Sequence, residues 1–391
     1  MDEELNKIIE KSRQKIAISH FKMEENMSKK KINKSIFSSI AVACFIVVTI
    51  TGTVFAKDIS NFVKGLFKGA SEGVDIAIDN GYVAEANTEY QNSNGIEINV
   101  ETFLIDDYNF DMIFNLKLTD TNFINEFKDV EAKEKASRID LADLEIVNEN
   151  NEMIFDTGRV IIEGKTEEEM EKIYKSKQHY MGGYSMGAEK ISDSEFKITL
   201  TASGSSIPFP KSKKLIINLT QIEKWNWTNY DTDFREKDIK KYKGNWHFEI
   251  DVPEEQSNRE EINYKAISCS EKQIDLNGIT AGLSKTAFKI SISKIKTDKV
   301  NFDALHNYDG ISIYHMIALQ KEYVETSNGK RFEPAGSSDG DGGYGLPADE
   351  PDTIIDYHQT FNLTEFDTTD TVTVHIFTNK DEEIIIEFEK E

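Results

Sequence analysis

Apolar and polar positions alternate along this chain in three successive rhythms. The first is no alternation at all: residues 35–56 read SIFSSIAVACFIVVTITGTVFA, twenty-two positions without a charge. At ~1.5 Å rise per residue, a helix of that length reaches across the ~30 Å hydrocarbon core of a bilayer, so the run predicts a transmembrane helix. Val54-Phe55-Ala56 would also suit a signal peptidase, but the charged region ahead of the run is longer than secretory signals usually carry. The Ser and Thr residues in the run keep a buried core helix as the structural alternative.

The second rhythm is helical and flanks the run. Leu5, Ile8, Ile9, Ile16 and Phe21 mark a partly apolar stripe in residues 1–34, a segment with no Gly or Pro. An isolated helix of that length is marginal in water, so the stripe is expected to lie on the membrane surface or to dock on a cytoplasmic partner. Beyond the run, Ile59, Phe62, Val63, Leu66 and Phe67 fall at helical spacing. Val74, Ala77 and Ile78 then make a second short piece that stops at Asn80-Gly81, a C-cap signal. Residues 57–89 thus read as a helical stalk.

From Gly95 the period drops to two. Ile96, Ile98, Val100, Thr102 and Leu104 alternate with polar residues; Asp106 to Asn109 form a turn; Phe110, Met112, Phe114, Leu116 and Leu118 alternate again. This predicts a β-hairpin with one buried face. Leu144 and Ile146 with Met153 and Phe155 across an Asn-rich turn, Phe196 to Leu200, Leu215 to Leu219 and Trp246 to Val252 repeat the pattern, with one helical insertion at Glu167 to Lys175. Pro253 to Glu261 is polar, charged and poor in apolar residues, and marks a boundary. A second alternating series follows at Ile274 and Leu276, Phe288 to Ile292, Val372 to Ile376 and Ile384 to Phe388, with a helical piece near Val300 to Leu305. Asn277-Gly278-Ile279 and Asn94-Gly95-Ile96, each opening its series, read as a weak internal duplication. The fold class expected is mainly β: two antiparallel, immunoglobulin-like β-sandwiches, 90–253 and 262–391, strung like beads after a single membrane helix.

Charge assigns the sides. Residues 1–34 carry nine Lys or Arg against six Asp or Glu, with Lys29, Lys30, Lys31 and Lys34 hard against the apolar run. The positive-inside rule places this tail in the cytoplasm and residues 57–391 outside the cell membrane. The whole chain has a net charge of −24, so the outer part is strongly acidic. That excludes nucleic acid as its partner and reads first as a solubility device. The two cysteines, Cys44 in the run and Cys269 outside, leave the outer part without a disulfide framework.

Chemistry-bearing patterns are few. Gly183-Tyr184-Ser185-Met186-Gly187 has the G-x-S-x-G spacing of a nucleophile elbow, but the strand-helix alternation that such a serine needs is missing, which favours a glycine-rich loop. Close carboxylate pairs arise by chance in so acidic a chain and single out no glycosidase site. Ala335 to Asp352 combines glycine with five carboxylates but lacks the third acidic ligand and the terminal Glu of a calcium loop, so it reads as an exposed loop. Trp225, Trp227, Tyr230 and Trp246 could present an aromatic platform, although alternation on one strand face favours core packing. No catalytic, cofactor or metal residues are expected, and the chain is not expected to be an enzyme.

The order of tail, anchor ending in VFA, ISNFVKGLF, DNGYV (Asp79 to Val83), NGIEINVETFLIDD (Asn94 to Asp107) and GNWHFEIDVP (Gly244 to Pro253) resembles domain-of-unknown-function family 4179 over about residues 35–255. The resemblance implies a membrane-anchored partner of an extracytoplasmic-function sigma factor, an anti-sigma-like signal transducer, with an immunoglobulin-like carboxy-terminal module. Residues 1–34 depart from that picture in lacking the zinc-binding or larger helical domain of well-known anti-sigma factors. Two functions follow as expectations. One is a single-pass transducer whose outer domains sense an envelope or wall ligand and whose tail holds a sigma factor; the other is a cell-surface binding or adhesion protein whose tail only orients it.

Overall fold

The computed structural model of the chain describes residues 70–127, 137–157, 180–204, 207–226, 239–272, 274–296, 322–335, 354–367, 369–377 and 383–391. The apolar run at 35–56, the tail stripe, the helix expected at 59–67, the insertion at 167–175, the helical piece at 300–305, Trp227, Tyr230 and the acidic loop beyond Ala335 lie outside the described residues. Among the described residues no helix is long and apolar enough to cross a membrane.

The first described element is helix α1 (Glu72–Asp79), at the position the Val74, Ala77, Ile78 stripe marks. The Ser71 hydroxyl accepts from the Val74 amide at 3.3 Å, Glu72 and Asp75 place acidic charge at the positive end, and Asn80 closes the helix. Strands β1 (Ala84–Glu85), β2 (Gln91–Ser93), β3 (Ile96–Ile105) and β4 (Asn109–Leu118) follow, then helix α2 (Thr121–Phe127). Asn94 and Gly95 join β2 to β3 with φ of 53° and 83°, the two-residue hairpin that needs left-handed backbone at both centres, which Asn-Gly supplies. Strands β5 (Ser137–Asn148), β6 (Met153–Asp156), β7 (Met181–Lys190), β8 (Glu195–Gly204), β9 (Lys214–Asn226) and β10 (Ile239–Asp251) complete this part.

These strands form two antiparallel sheets. One runs β1-β3-β4-β8-β7 with β2 also on β3; the other runs β10-β9-β5-β6. A single core lies between them, with Phe103, Phe110, Phe114 and Phe196 from the first and Leu144, Ile146, Ile217 and Trp246 from the second. Each such side chain withdrawn from water contributes roughly 1.5–3 kcal/mol, and the Trp246 indole N–H finds the Ile96 carbonyl at 3.2 Å. The hairpin of β3 and β4 departs from the one-faced expectation. Near its turn the second face is covered too, because Leu104 and Ile113 pack with Val74, Ala77, Ile78 and Tyr82 in a small core beneath α1.

The boundary segment is no loose tether. Helix α3 (Glu254–Ser257) forms there, and Gln256, Ser257 and Arg259 are buried. Strands β11 (Ile262–Cys269), β12 (Ile279–Leu283), β13 (Phe288–Lys296), β14 (Tyr323–Thr326), β15 (Arg331–Phe332), β16 (Ile354–Phe361), β17 (Thr371–Phe377) and β18 (Glu383–Lys390) then make one eight-stranded sheet in the order β15-β14-β17-β18-β11-β12-β13-β16. Its two ends meet: Pro334 bridges Phe361, the Ala335 amide donates to the Thr360 carbonyl at 2.8 Å, and the Asn362 amide to the Glu333 carbonyl at 3.0 Å. Where the sequence predicts two facing sheets, one sheet closes on itself around a core of Tyr264, Phe288, Phe361, Val374 and Phe388. Ile274 and Leu276 lie not in a strand but before and in a 3-10 turn, Leu276–Gly278, and the strand begins at Ile279. Asn277-Gly278 therefore has a different backbone from Asn94-Gly95, and the two regions differ in topology, so the fold gives the duplication no support. Nor are the two parts beads, since both cores belong to one compact unit.

Candidate functional site

The two cores meet at the tip of the hairpin of β3 and β4. Asp106 directly follows β3, and its side chain is wholly buried. One carboxylate oxygen, Oδ1, accepts from the Tyr108 and Asn109 amides at 2.7 and 3.0 Å, which shapes the turn. The other, Oδ2, reaches the turn between β12 and β13 and accepts from the Ser284 hydroxyl at 2.7 Å, the Thr286 amide at 2.9 Å and the Thr286 hydroxyl at 2.6 Å. Burial pushes this carboxyl up from its ordinary range, while Thr286, Ser284, the Asn109 amide and the Arg259 charge pull it back. Asn109 adds a bond from its own amide group to the Thr286 hydroxyl at 2.7 Å.

The neighbouring residue uses the boundary segment instead. Arg259, 4 % exposed, donates through Nε to Asp107 at 2.9 Å and through its other nitrogens to the carbonyls of Gln256, Phe209 and Pro210 at 2.8, 2.6 and 3.2 Å. Burial raises the Asp107 carboxyl and the Arg259 charge opposes that rise. A buried pair of this kind adds little net stability but fixes geometry, because removing either partner strands the other charge. Tyr108 donates to Glu261, and the Lys289 ammonium sits 5.3 Å from the Tyr108 ring centre. Burial and the charges of Asp107 and Asp106 raise Glu261 to about 7, with Lys289 opposing.

Helix α1 closes the third side. The Gly73 amide donates to Asn362 at 3.2 Å, and a methyl group at Gly73 would overlap the Thr286 carbonyl. Phe366 packs on the small core under α1. Ile105 lies at the centre: its carbonyl accepts from the Tyr82 hydroxyl at 3.0 Å and its amide donates to Gln256 at 3.1 Å. The chain's entry into the first core and its exit are thus pinned to one residue. What this arrangement can do chemically is hold two cores and a helix in one register through buried charge.

The motifs that stood out in the sequence converge here. Asp79 to Val83 supplies Tyr82, Asn94 to Asp107 supplies both aspartates of the turn, and Gly244 to Pro253 leads into α3, while its Trp246 lies at the far end of β3 against Ile96. Sequence reasoning read the turn at Asp106 to Asn109 but missed Arg259, Gln256, Ser284, Thr286 and Asn362. The signal that could have found the junction is the unbroken apolar run Phe103-Leu104-Ile105 beside Ile113, which announces a covered second face.

The other candidates fall elsewhere. Leu5, Ile8, Ile9, Ile16 and Phe21 lie outside the described residues. Ser185 sits exposed in the middle of β7, paired with Thr201 on extended backbone. The G-x-S-x-G segment is therefore neither the loop the sequence favours nor a strand-to-helix elbow. Trp246 is core and Trp225 half-buried. Among the described residues no group of three or more His, Cys, Asp and Glu side chains could hold a metal ion. Cys269 is half-buried.

No family model matches the chain, and no curated protein matches it. A solved structure, "The crystal structure of the conserved domain protein from Bacillus anthracis", is similar over 83% of this chain and 93% of its own, at 13% identity and a TM-score of 0.34.

Proposed function

We propose that this protein is a non-enzymatic, single-pass membrane signal transducer: a cytoplasmic tail at 1–34, an anchor at 35–56, and an extracytoplasmic β region whose first module is an immunoglobulin-like sandwich. In this reading the tail stripe of Leu5, Ile8, Ile9, Ile16 and Phe21 holds an extracytoplasmic-function sigma factor, and the outer region binds an envelope or wall ligand. The uncharged run, its lysine-rich flank and the resemblance to domain-of-unknown-function family 4179 support it.

The observation that carries the reading furthest is the placement of α1. It begins sixteen residues past Ala56 in the sequence, and it is the element wedged against both cores. A ligand that favours one arrangement of the cores over another therefore also favours one position of α1, which is the coupling a transducer needs.

Affinity capture from detergent-solubilised membranes tests it, comparing the full chain with one lacking residues 2–28 but keeping the lysines next to the anchor. The expected result is a sigma factor recovered only with the intact tail. Recovery of the same envelope components by both versions, without a transcription factor, would replace this reading by that of a surface-binding or adhesion protein.

A further inference from the structure

Asp111 lies one strand position from the core face of β4. It points to the outer side of its sheet, the side on which Ile113 packs beneath α1. It is 2 % exposed, and its Oδ2 is sealed from water without a hydrogen-bond partner. Its neighbours across the sheet are Leu104 on β3 and Thr201 on β8, neither charged. The charges that reach it are Asp106 at the hairpin turn and Asp75 on α1, both of its own sign. The cost of an ionised carboxylate at such a position has two sources, lost hydration and like-charge repulsion, and nothing at Oδ2 offsets either.

Only the neutral acid is therefore compatible with a seated helix. Burial above all, with Asp106 and Asp75, holds the Asp111 proton far beyond the usual carboxylate range. Opposing release are the apolar contacts of Val74, Ala77 and Ile78, the bond from the Gly73 amide to Asn362 and, just past the helix, that from the Tyr82 hydroxyl to the Ile105 carbonyl. A helix of eight residues has little stability of its own once water enters beneath it.

We propose that the seat of α1 is a proton-gated latch: α1 rests on its sheet while Asp111 is a neutral acid, and lifts when the proton passes to water and the carboxylate is hydrated. The latch belongs to the described fold and does not depend on residues 35–56 crossing a membrane. Where the transducer reading also holds, the latch makes extracytoplasmic pH an input to it.

Hydrogen exchange of the purified full chain between pH 5.5 and 9.5, corrected for the intrinsic pH dependence of exchange, tests the proposal. The opening constant of peptides covering residues 72–82 is expected to rise with pH, by at most about tenfold per unit, because the open state releases a proton that the closed state keeps. Peptides from β8 should not follow. Asp111→Asn, which keeps the shape and removes the charge, should leave α1 equally protected at every pH. A flat profile in the unaltered chain, or the same rise in Asp111→Asn, would overturn the latch. If Asp111→Asn does not fold, Asp75→Asn decides: removing a like charge lets the closed state ionise earlier, so the rise must level off at a lower pH and end smaller. An unmoved profile there overturns the proposal as well.

Discussion

Asp106 and Asp111 flank one hairpin turn, five residues apart and both sealed from water, yet their surroundings are opposite. Asp106 collects five donors from its own turn and from the turn between β12 and β13. Asp111 keeps an oxygen with no donor at all. The same penalty of burial is offset in one place by hydrogen bonds across the junction and met in the other by keeping a proton. The first aspartate locks the two cores together; the second makes the helix beside them conditional.

The comparison breaks most severely at Asp106. Asp106→Ala leaves buried amides and hydroxyls unsatisfied on both sides of the junction and is expected to cost about 5 kcal/mol, read by denaturant unfolding with a changed m-value if the cores come to unfold separately. Arg259→Leu strands the Asp107 charge and is expected to cost about 4 kcal/mol, with partial recovery in the double variant Arg259→Leu, Asp107→Leu. A double variant no more stable than Arg259→Leu would show the pair is not the fixture described here.

Gly73 belongs to both halves of the comparison, since it touches Thr286 beside Asp106 and sits on the helix above Asp111. Gly73→Ala forces α1 away from the Thr286 carbonyl and should destabilise by about 2 kcal/mol, while raising exchange at residues 72–82 more than in β8. The smallest expected effect is at Glu261. The folded state holds this proton up to about pH 7 against an ordinary value of 4.5, so the stability it contributes is complete below pH 4.5 and is lost as pH rises to about 7. Glu261→Gln should flatten that slope, by about 1–2 kcal/mol across the window given the side chain's partial exposure. An unchanged slope would assign the pH dependence to other groups.

Much of the first core was legible because alternation survives wherever strands stay regular. Strand β4 and the inward series on β8 and β10 follow directly from period two. On β3, however, a bulge between Val100 and Thr102 moves the inward series from Ile96, Ile98 and Val100 to Phe103 and Ile105, so Thr102 and Leu104, expected on the same face as Ile96, lie on the other. The first half of β5 was hidden by a single residue. Asp143 adopts a φ of 50° and drops out of the pairing, so buried positions shift from Ile139 and Leu141 to Leu144 and Ile146. Opposite it, β9 changes phase between Leu219 and Ile222. The junction was harder to read because its members are polar residues distant in sequence: Asp106 and Thr286 are 180 positions apart, and no local pattern joins them. Polarity at Gln256 and Arg259 looks like solvent exposure until the partners that bury it are known.

The pinning of Tyr82 and Gln256 to Ile105 also fixes where a pull on the chain would be felt. Tension applied between α1 and the carboxy-terminal strand passes first through Gly73 and Asn362, and through Asp106 and Thr286, because these bonds span the two ends of the first sandwich from outside. The sheets of that sandwich carry no load until those contacts shear. The junction is in that sense a mechanical fuse, set to part before the sandwich it protects is stretched.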